Sequence, residues 1–397
     1  MKIFSCICGV TSTLFFESTQ CTTCGRLTGY CQDIKAVIGF DATESAGIYT
    51  STVNEKQYRQ CDNYSQHQAC NGMVPTDSIK ADVLPNQMLC FSCHFNENIP
   101  NLSVPGHTAL WRKLETAKRR TLVTLSDLEL PLLDKQQYPE LGLSFDFLAD
   151  KQVSDHFTTP LDGYDPVFTG HNNGHITINI AEADDVARTS TRLAMGERYR
   201  TLLGHFRHEI GHYYWDVLIA RHPAECKRFR ALFGDERESY QDALKYHYEN
   251  GAPDNWQDNF ISPYASMHPW EDFAETWSHY LHMIDTLETA QSFGLQVNTN
   301  NHTTDNTDMK ELHLPQAINY FDKKSSLLDM IETWVRFSVI LNSLNRSMGL
   351  PDAYPFVLNE VIEKKLRYIH YIIHTSVSNP HTKLPAAAKA LLNNSAL

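Results

Sequence analysis

The chain has 397 residues, 42% of them hydrophobic, enough for a small module plus one large domain with a real core. A formal net charge of −13 argues against a nucleic-acid or anionic-membrane partner. No run approaches the roughly 18 apolar residues of a transmembrane helix, so no membrane span is expected.

The first sixteen residues, MKIFSCICGVTSTLFF, superficially suggest a signal peptide. Serines, threonines and a glycine break the apolar run, and Cys6 and Cys8 have a better use, so that reading is set aside. Ten cysteines fall at 6, 8, 21, 24, 31, 61, 70, 90, 93 and 226. Cys6-x-Cys8-Gly and Cys21-x-x-Cys24-Gly are two knuckles in which glycine permits a sharp backbone turn behind the thiolates. That is the signature of a zinc ribbon. Cys61, Cys70 and Cys90-x-x-Cys93 make a looser set, read as a second four-cysteine zinc site. Disulfides, or His67 or His94 replacing one cysteine, are the alternatives. Zinc thiolates imply a reducing compartment, hence a cytoplasmic protein. Cys31 and Cys226 are left over as buried or free thiols. The first domain is expected to span residues 1–100, held by metal more than by a core. Its Lys2, Arg26, Lys35, Lys56, Arg59 and Lys80 stand against nine acidic residues, so protein contact or a structural role is expected of it, not nucleic-acid binding.

Residues 98–106 (NIPNLSVPG) read as an extended linker or arm. Residues 111–125 form a basic helix, whose Lys118-Arg119-Arg120 is expected to be a solvated face. Residues 143–147 alternate like a strand. Residues 167–180 (VFTGHNNGHITINI) read as a hairpin turning at Asn173-Gly174. Residues 181–194, with an acidic start, look helical.

The segment 198–220, RYRTLLGHFRHEIGHYYWDVLIA, carries the chemistry. His208 and His212 are i and i+4 on one helical face, so both imidazoles can hold a single zinc ion, with Glu209 beside the open position. Zinc lowers the pKa of a bound water towards about 7, and a carboxylate can then take its proton and pass it to a leaving amine. A surface helix with a chance histidine pair is the bland alternative. The apolar flanks (Leu202, Leu203, Phe206, Ile210, Tyr213, Tyr214, Trp215) argue for burial, where histidine and glutamate need partners. Asp216 lies four residues past His212 and either orients a ligand histidine or closes a helix-end salt bridge. Residues 224–233 and 236–250 are helix-like. A third ligand is then required. In SPYASMHPWEDFAETWSHYLH (262–282), Pro269 suits a first helical position, with Glu271 and Asp272 in the first turn. Glu271 and Glu275 share a face. Glu271 is read as the third ligand, and Glu275 as the partner that holds a ligand histidine in its tautomer. The alternative, a solvated acidic first turn, sits badly with Phe273, Ala274, Trp277 and Tyr280. Residues 298–307 read as a polar loop, 327–348 and 355–375 as long helices, and 376–397 as a loose tail in which 384–392 could form a short helix.

HEIGH followed by EDFAE resembles the gluzincin peptidases, in which a glutamate from a later helix completes the site. A tyrosine seven residues before that glutamate, here Tyr264, is similar to the arrangement in anthrax lethal factor, whose tyrosine stands near the scissile carbonyl. GHFRHEIGHYYWD, SPYASMHPWEDFAETWSHYLH and the N-terminal cysteines together resemble a bacterial family of zinc-binding metallopeptidases with an N-terminal zinc ribbon. The resemblance covers nearly the whole chain, more loosely after about residue 295. It implies a peptidase, with Tyr264 as a donor to the oxyanion. In gluzincin-like folds the strand before the metal helix is a sheet edge that docks substrate backbone, a place that residues 175–180 would take unless they form an ordinary interior hairpin. The fifty-eight residues between His212 and Glu271 exceed the spacer of thermolysin-like enzymes.

The expected architecture is α+β: a zinc-ribbon module (1–100) and a mostly helical gluzincin-type domain with a small sheet (101–397). The expected function is hydrolysis of a peptide or protein substrate, with one catalytic and two structural zinc ions and neither nucleic acid nor membrane as partner. A zinc hydrolase acting on a non-peptide amide would look the same. A zinc-ribbon interaction protein with a degenerate or structural HExxH site is the competing reading, and the unliganded Glu209 favours the enzyme.

Overall fold

The computed structural model describes residues 2–9, 12–79, 88–152, 164–165, 167–194, 201–297, 312–313, 321–322 and 326–378. The expected loop at 298–307, the short helix at 384–392 and Lys80 lie outside these residues. The fold is α+β, as expected. Contacts divide the chain into two compact units: Met1–Leu122 with Asp134–Arg188, and Val123–Leu133 with Thr189–Leu397.

In the first unit, β1 (Phe4–Ser5) and β2 (Thr13–Leu14) form a small hairpin. β3 (Leu27–Cys31), β4 (Ala36–Ala42), β5 (Ile48–Ser51), β6 (Gln57–Gln60) and, after the single-turn helix α1 (Asp62–Ser65), β7 (Gly72–Pro75) close into a barrel. Closure is by parallel pairing of β3 with β7, and it depends on Gly29: a Cβ there would meet Met73 Cγ at 2.6 Å and the Asn71 carbonyl at 2.7 Å. Ile38, Phe40, Tyr58, Tyr64 and Met73 pack with five cysteines into a core. The module's core is thus apolar side chains packed together with the cysteines of the second set.

β8 (Asn96–Asn98) pairs in parallel with β9 (Ser144–Leu148) within this unit. Between them runs α2 (His107–Asp127), whose residues up to Leu122 belong here. Two residues of its basic run are not solvated. Lys118 is fully buried against Glu115 (3.0 Å) and Asn96, and Arg119 is buried on Asn71 and the Phe16 ring, because buried cations persist where acceptors and ring faces receive them. Arg120 pairs with Glu17 at 2.6 Å. β10 (Lys151–Gln152) pairs with β11 (Tyr164–Asp165). β12 (Gly170–Asn172) and β13 (His175–Asn179) form the expected hairpin, with positive φ at Asn173 and Gly174. The sheet order is β12-β13-β9-β8. β13 is thus paired on both sides, which corrects the docking role considered for it; among the described residues the outer strands of this sheet are β12 and β8. His175 is held between Asp146 (3.0 Å) and Glu97 (3.3 Å). α3 (Asp185–Ala194) follows.

The second unit is helical. Thr201 caps α4 (Leu202–Trp215), accepting from the Gly204 amide at 3.0 Å, and a π-helical turn (Asp216–Ala220) ends it. α5 (Pro223–Phe233) and α6 (Tyr240–Asn250, capped by Ser239) follow, then α7 (Pro269–Ser292), with proline at its first position. β14 (Gln296–Val297) pairs with β15 (Leu312–His313), and α8 (Leu327–Ser347) and α9 (Glu360–Ser378) complete the unit. α4 and α7 cross at its centre, burying Phe206, Ile210, Tyr213, Tyr214, Phe273, Trp277 and Tyr280, with Tyr214 stacked on Trp277 at 5.0 Å. The crossing is close because its contact residues are small: a Cβ on Gly211 would stand 2.9 Å from Ala274 Cα, and Ser278 Oγ donates to the Gly204 carbonyl at 3.3 Å. Among the described residues no helix is long and apolar enough to cross a membrane.

Candidate metal centres

The α4–α7 crossing sets two imidazoles against a carboxylate. His208 Nε2 and His212 Nε2 lie 3.2 Å apart, His208 Nε2 is 2.8 Å from Glu271 Oε2, and His212 Nε2 is 3.4 Å from Glu271 Oε1. Ligands about 2.0–2.1 Å from one zinc ion in tetrahedral geometry stand about 3.3 Å from each other, so the three side chains fit that ion. All three are buried. His208 Nδ1 is 2.7 Å from Glu275 Oε1, so Nδ1 can donate there while Nε2 would be left to give its lone pair to a metal ion at the centre. Glu275 is itself held by Ser262 Oγ, which donates to Oε2 at 2.6 Å and accepts from the Ala265 amide at 3.1 Å.

Electrostatics follow from this crowding. Burial works against a charged His208, yet Glu271 and Glu275 outweigh it and hold its pKa well above the ordinary value. Burial likewise disfavours the carboxylates, but His212 and His208 hold Glu271 well below the usual range, and His208 draws Glu275 down to about 2. The centre is built for a positive charge between two carboxylates, which a proton on His208 or a metal ion can supply.

Glu209 is 9% exposed, and among the described residues it makes no hydrogen bond or ion pair. The Tyr264 ring stands 5.9 Å from His208, and burial raises its phenol pKa well above the ordinary value. Burial pushes the Asp216 carboxyl up to about 6, against the pull of His212 and Arg221. Three neighbours had no signal in the sequence. Tyr240 donates to Glu271 Oε1 at 2.9 Å, the Trp270 ring covers His212 at 4.0 Å, and Ser262 supports Glu275. Helical periodicity along α4 and α7 says nothing of α6 or of the turn before α7, which supply Tyr240 and Ser262; Trp270 lies on α7 itself but is not a ligand type.

In the first unit, Cys6 Sγ lies 3.8 Å from Cys24 Sγ, and Cys8 Sγ 3.7 Å from Cys21 Sγ. Thiolates about 2.3 Å from one zinc stand about 3.8 Å apart, whereas a disulfide would need about 2.05 Å. Backbone amides of Cys24 and Thr23 draw the Cys21 thiol below its ordinary value. Cys61, Cys70, Cys90 and Cys93 converge in the barrel core, and none of the ten cysteines is in a disulfide. The histidine alternatives fall away: His94 pairs with Asp134 at 2.7 Å, and His67 packs edge-on to Trp111. Gly72 is required here, since a Cβ would meet Cys90 Sγ at 2.4 Å. Cys31 is buried, and the buried Cys226 donates to the Ile219 carbonyl at 3.2 Å.

Comparison with known proteins supplies two family matches. Residues 107–372 match the family described as "Putative zinc-binding metallo-peptidase", and residues 3–104 match a zinc-ribbon domain. Uncharacterized proteins of Mycobacterium bovis and Mycobacterium tuberculosis are 38% identical over 374 residues, covering 94% of this chain and 95% of theirs. No solved structure gives a significant match.

Proposed function

Because the chain belongs to this zinc-binding metallo-peptidase family and carries its zinc-ribbon domain, we propose that it hydrolyses peptide bonds at the α4–α7 centre by a gluzincin-like mechanism. The observation that carries the proposal is a convergence of two imidazole lone pairs and one carboxylate beside Glu209, a nearly buried carboxylate with no partner of its own among the described residues. A structural metal site has no use for such a group.

His208, His212 and Glu271 would hold a zinc ion, which supplies Lewis acidity and lowers the pKa of water. Glu209 takes the proton as water attacks the peptide carbonyl and then delivers it to the departing amine. Tyr264, kept protonated by burial, donates to the oxygen that gains negative charge. Glu275 and Ser262 hold His208 in the tautomer that leaves Nε2 unprotonated. Two further zinc ions, on Cys6, Cys8, Cys21 and Cys24 and on Cys61, Cys70, Cys90 and Cys93, would stabilise the first unit, whose thiolates suit a reducing compartment. The substrate is a peptide or protein.

The test compares wild type with Glu209→Gln on a mixture-based peptide library read by mass spectrometry. The variant keeps its zinc and its fold but loses about 10²–10⁴-fold in cleavage, because an amide accepts no proton. Wild type that is fully zinc-loaded and cleaves nothing, or a variant that cleaves like wild type, overturns the reading.

A further inference from the structure

Tyr240 precedes Glu271 by thirty-one residues and opens α6, yet its hydroxyl donates to Glu271 Oε1 at 2.9 Å. α6 turns a half-buried face inward, formed by Tyr240, Ala243, Leu244 and His247, and the Tyr240 phenol reaches the centre from the start of that face. Its ring stands edge-on between His268 (5.4 Å) and Trp270 (6.3 Å), the residues flanking Pro269 at the start of α7. Ser239 fixes the entry into α6 by accepting from the Asp242 amide at 3.3 Å.

We infer that Tyr240 is a positioning residue of the metal centre, whose phenol commits Glu271 to coordination through one oxygen. The inference rests on the reading of His208, His212 and Glu271 as the catalytic metal ligands. A carboxylate can bind a metal through one oxygen or through both. A phenol donating to Oε1 draws electron density from that oxygen, which favours Oε2 as the ligand and keeps the position on the other side open for water. Without the phenol, Glu271 can close both oxygens on the metal and fill that position.

The experiment uses the full chain with Tyr240→Phe, which keeps the ring between His268 and Trp270 and removes only the hydroxyl. Two quantities are read, each as a difference from His208→Ala so that the cysteine sites cancel. The first is the rate of zinc release to a chromogenic chelator. The second is the visible spectrum after cobalt(II) substitution, whose intensity falls as the coordination number rises. The expected result is release about 10–100-fold faster, weaker cobalt bands, and an apoprotein unfolding midpoint equal to that of wild type. Release and spectrum like those of wild type overturn the inference, as does a lowered midpoint with an unaltered spectrum. If wild type and His208→Ala hold the same amount of zinc, the metal-centre reading itself has failed, which is a separate result.

Discussion

Alanine in place of Gly211 would put a methyl group into the α4–α7 crossing, 2.9 Å from Ala274 Cα and 3.3 Å from its Cβ and carbonyl oxygen. Carbon atoms in contact prefer about 3.5–4.0 Å, so the helices must part there by roughly 0.6–1 Å. Gly211 adjoins His212, and Ala274 adjoins Glu275 one turn after Glu271, so the displacement falls between the imidazoles and the carboxylates. Metal–ligand distances tolerate only about 0.2 Å. Overpacking of this kind costs about 1–3 kcal/mol, offset by the 0.5–1 kcal/mol or so that alanine contributes over glycine in a helix interior. The net loss of apoprotein stability is therefore modest, about 0–2.5 kcal/mol. Zinc affinity at this centre falls by at least about tenfold, on the scale of losing a supporting partner of a ligand. Chelator competition, corrected with His208→Ala, measures the affinity, and urea unfolding of the apoprotein measures the stability. Ala274→Gly, which adds no atom, leaves the affinity near wild type. Unchanged affinity in Gly211→Ala would refute the argument that this crossing sets the ligand geometry.

Elemental analysis of the purified protein should give about three zinc ions per chain by the four-ligand geometry of each site, and His208→Ala should remove one. A ratio near one, with disulfides found by mass spectrometry, would sink the thiolate sites. Glu271→Ala should lose the catalytic zinc outright, whereas Glu275→Ala, which only frees the His208 ring, should weaken binding about 10–100-fold; equal losses would contradict the assignment. Burial lowers the His279 pKa to about 4, against the opposing charge of Glu275. The unfolded chain takes up that proton below about 6.5. Stability from keeping His279 neutral is therefore complete above about pH 6.5 and is lost as pH falls towards 4, by about 2 kcal/mol at pH 5. Urea midpoints at pH 7 and 5 read this difference, and His279→Gln should flatten it; an equal slope in the variant would count against the assignment.

What the sequence determined by itself is what local periodicity and local turns determine. His208 and His212, or Glu271 and Glu275, share a face because 3.6 residues make a turn, whatever surrounds the helix. The glycines after Cys8 and Cys24, and Asn173-Gly174 in the hairpin, mark backbone turns for equally local reasons. Tertiary structure alone decided the rest. That the two cysteine sets are each complete without a histidine depends on where the barrel closes, and Gly29 and Gly72 reveal their purpose only once Met73 and Cys90 are seen against them. Lys118 and Arg119 look like a solvated run until Asn96, Glu115 and Asn71 arrive from other elements. β13 reads as a possible edge strand because pairing partners are not encoded within a strand. Tyr240 and Ser262 reach the centre from a helix and a turn with no metal motif. Gly211, one of the two unspecified positions inside HEIGH, sets the separation of the two metal-bearing helices because a helix crossing is decided by the smallest residues at the point of contact.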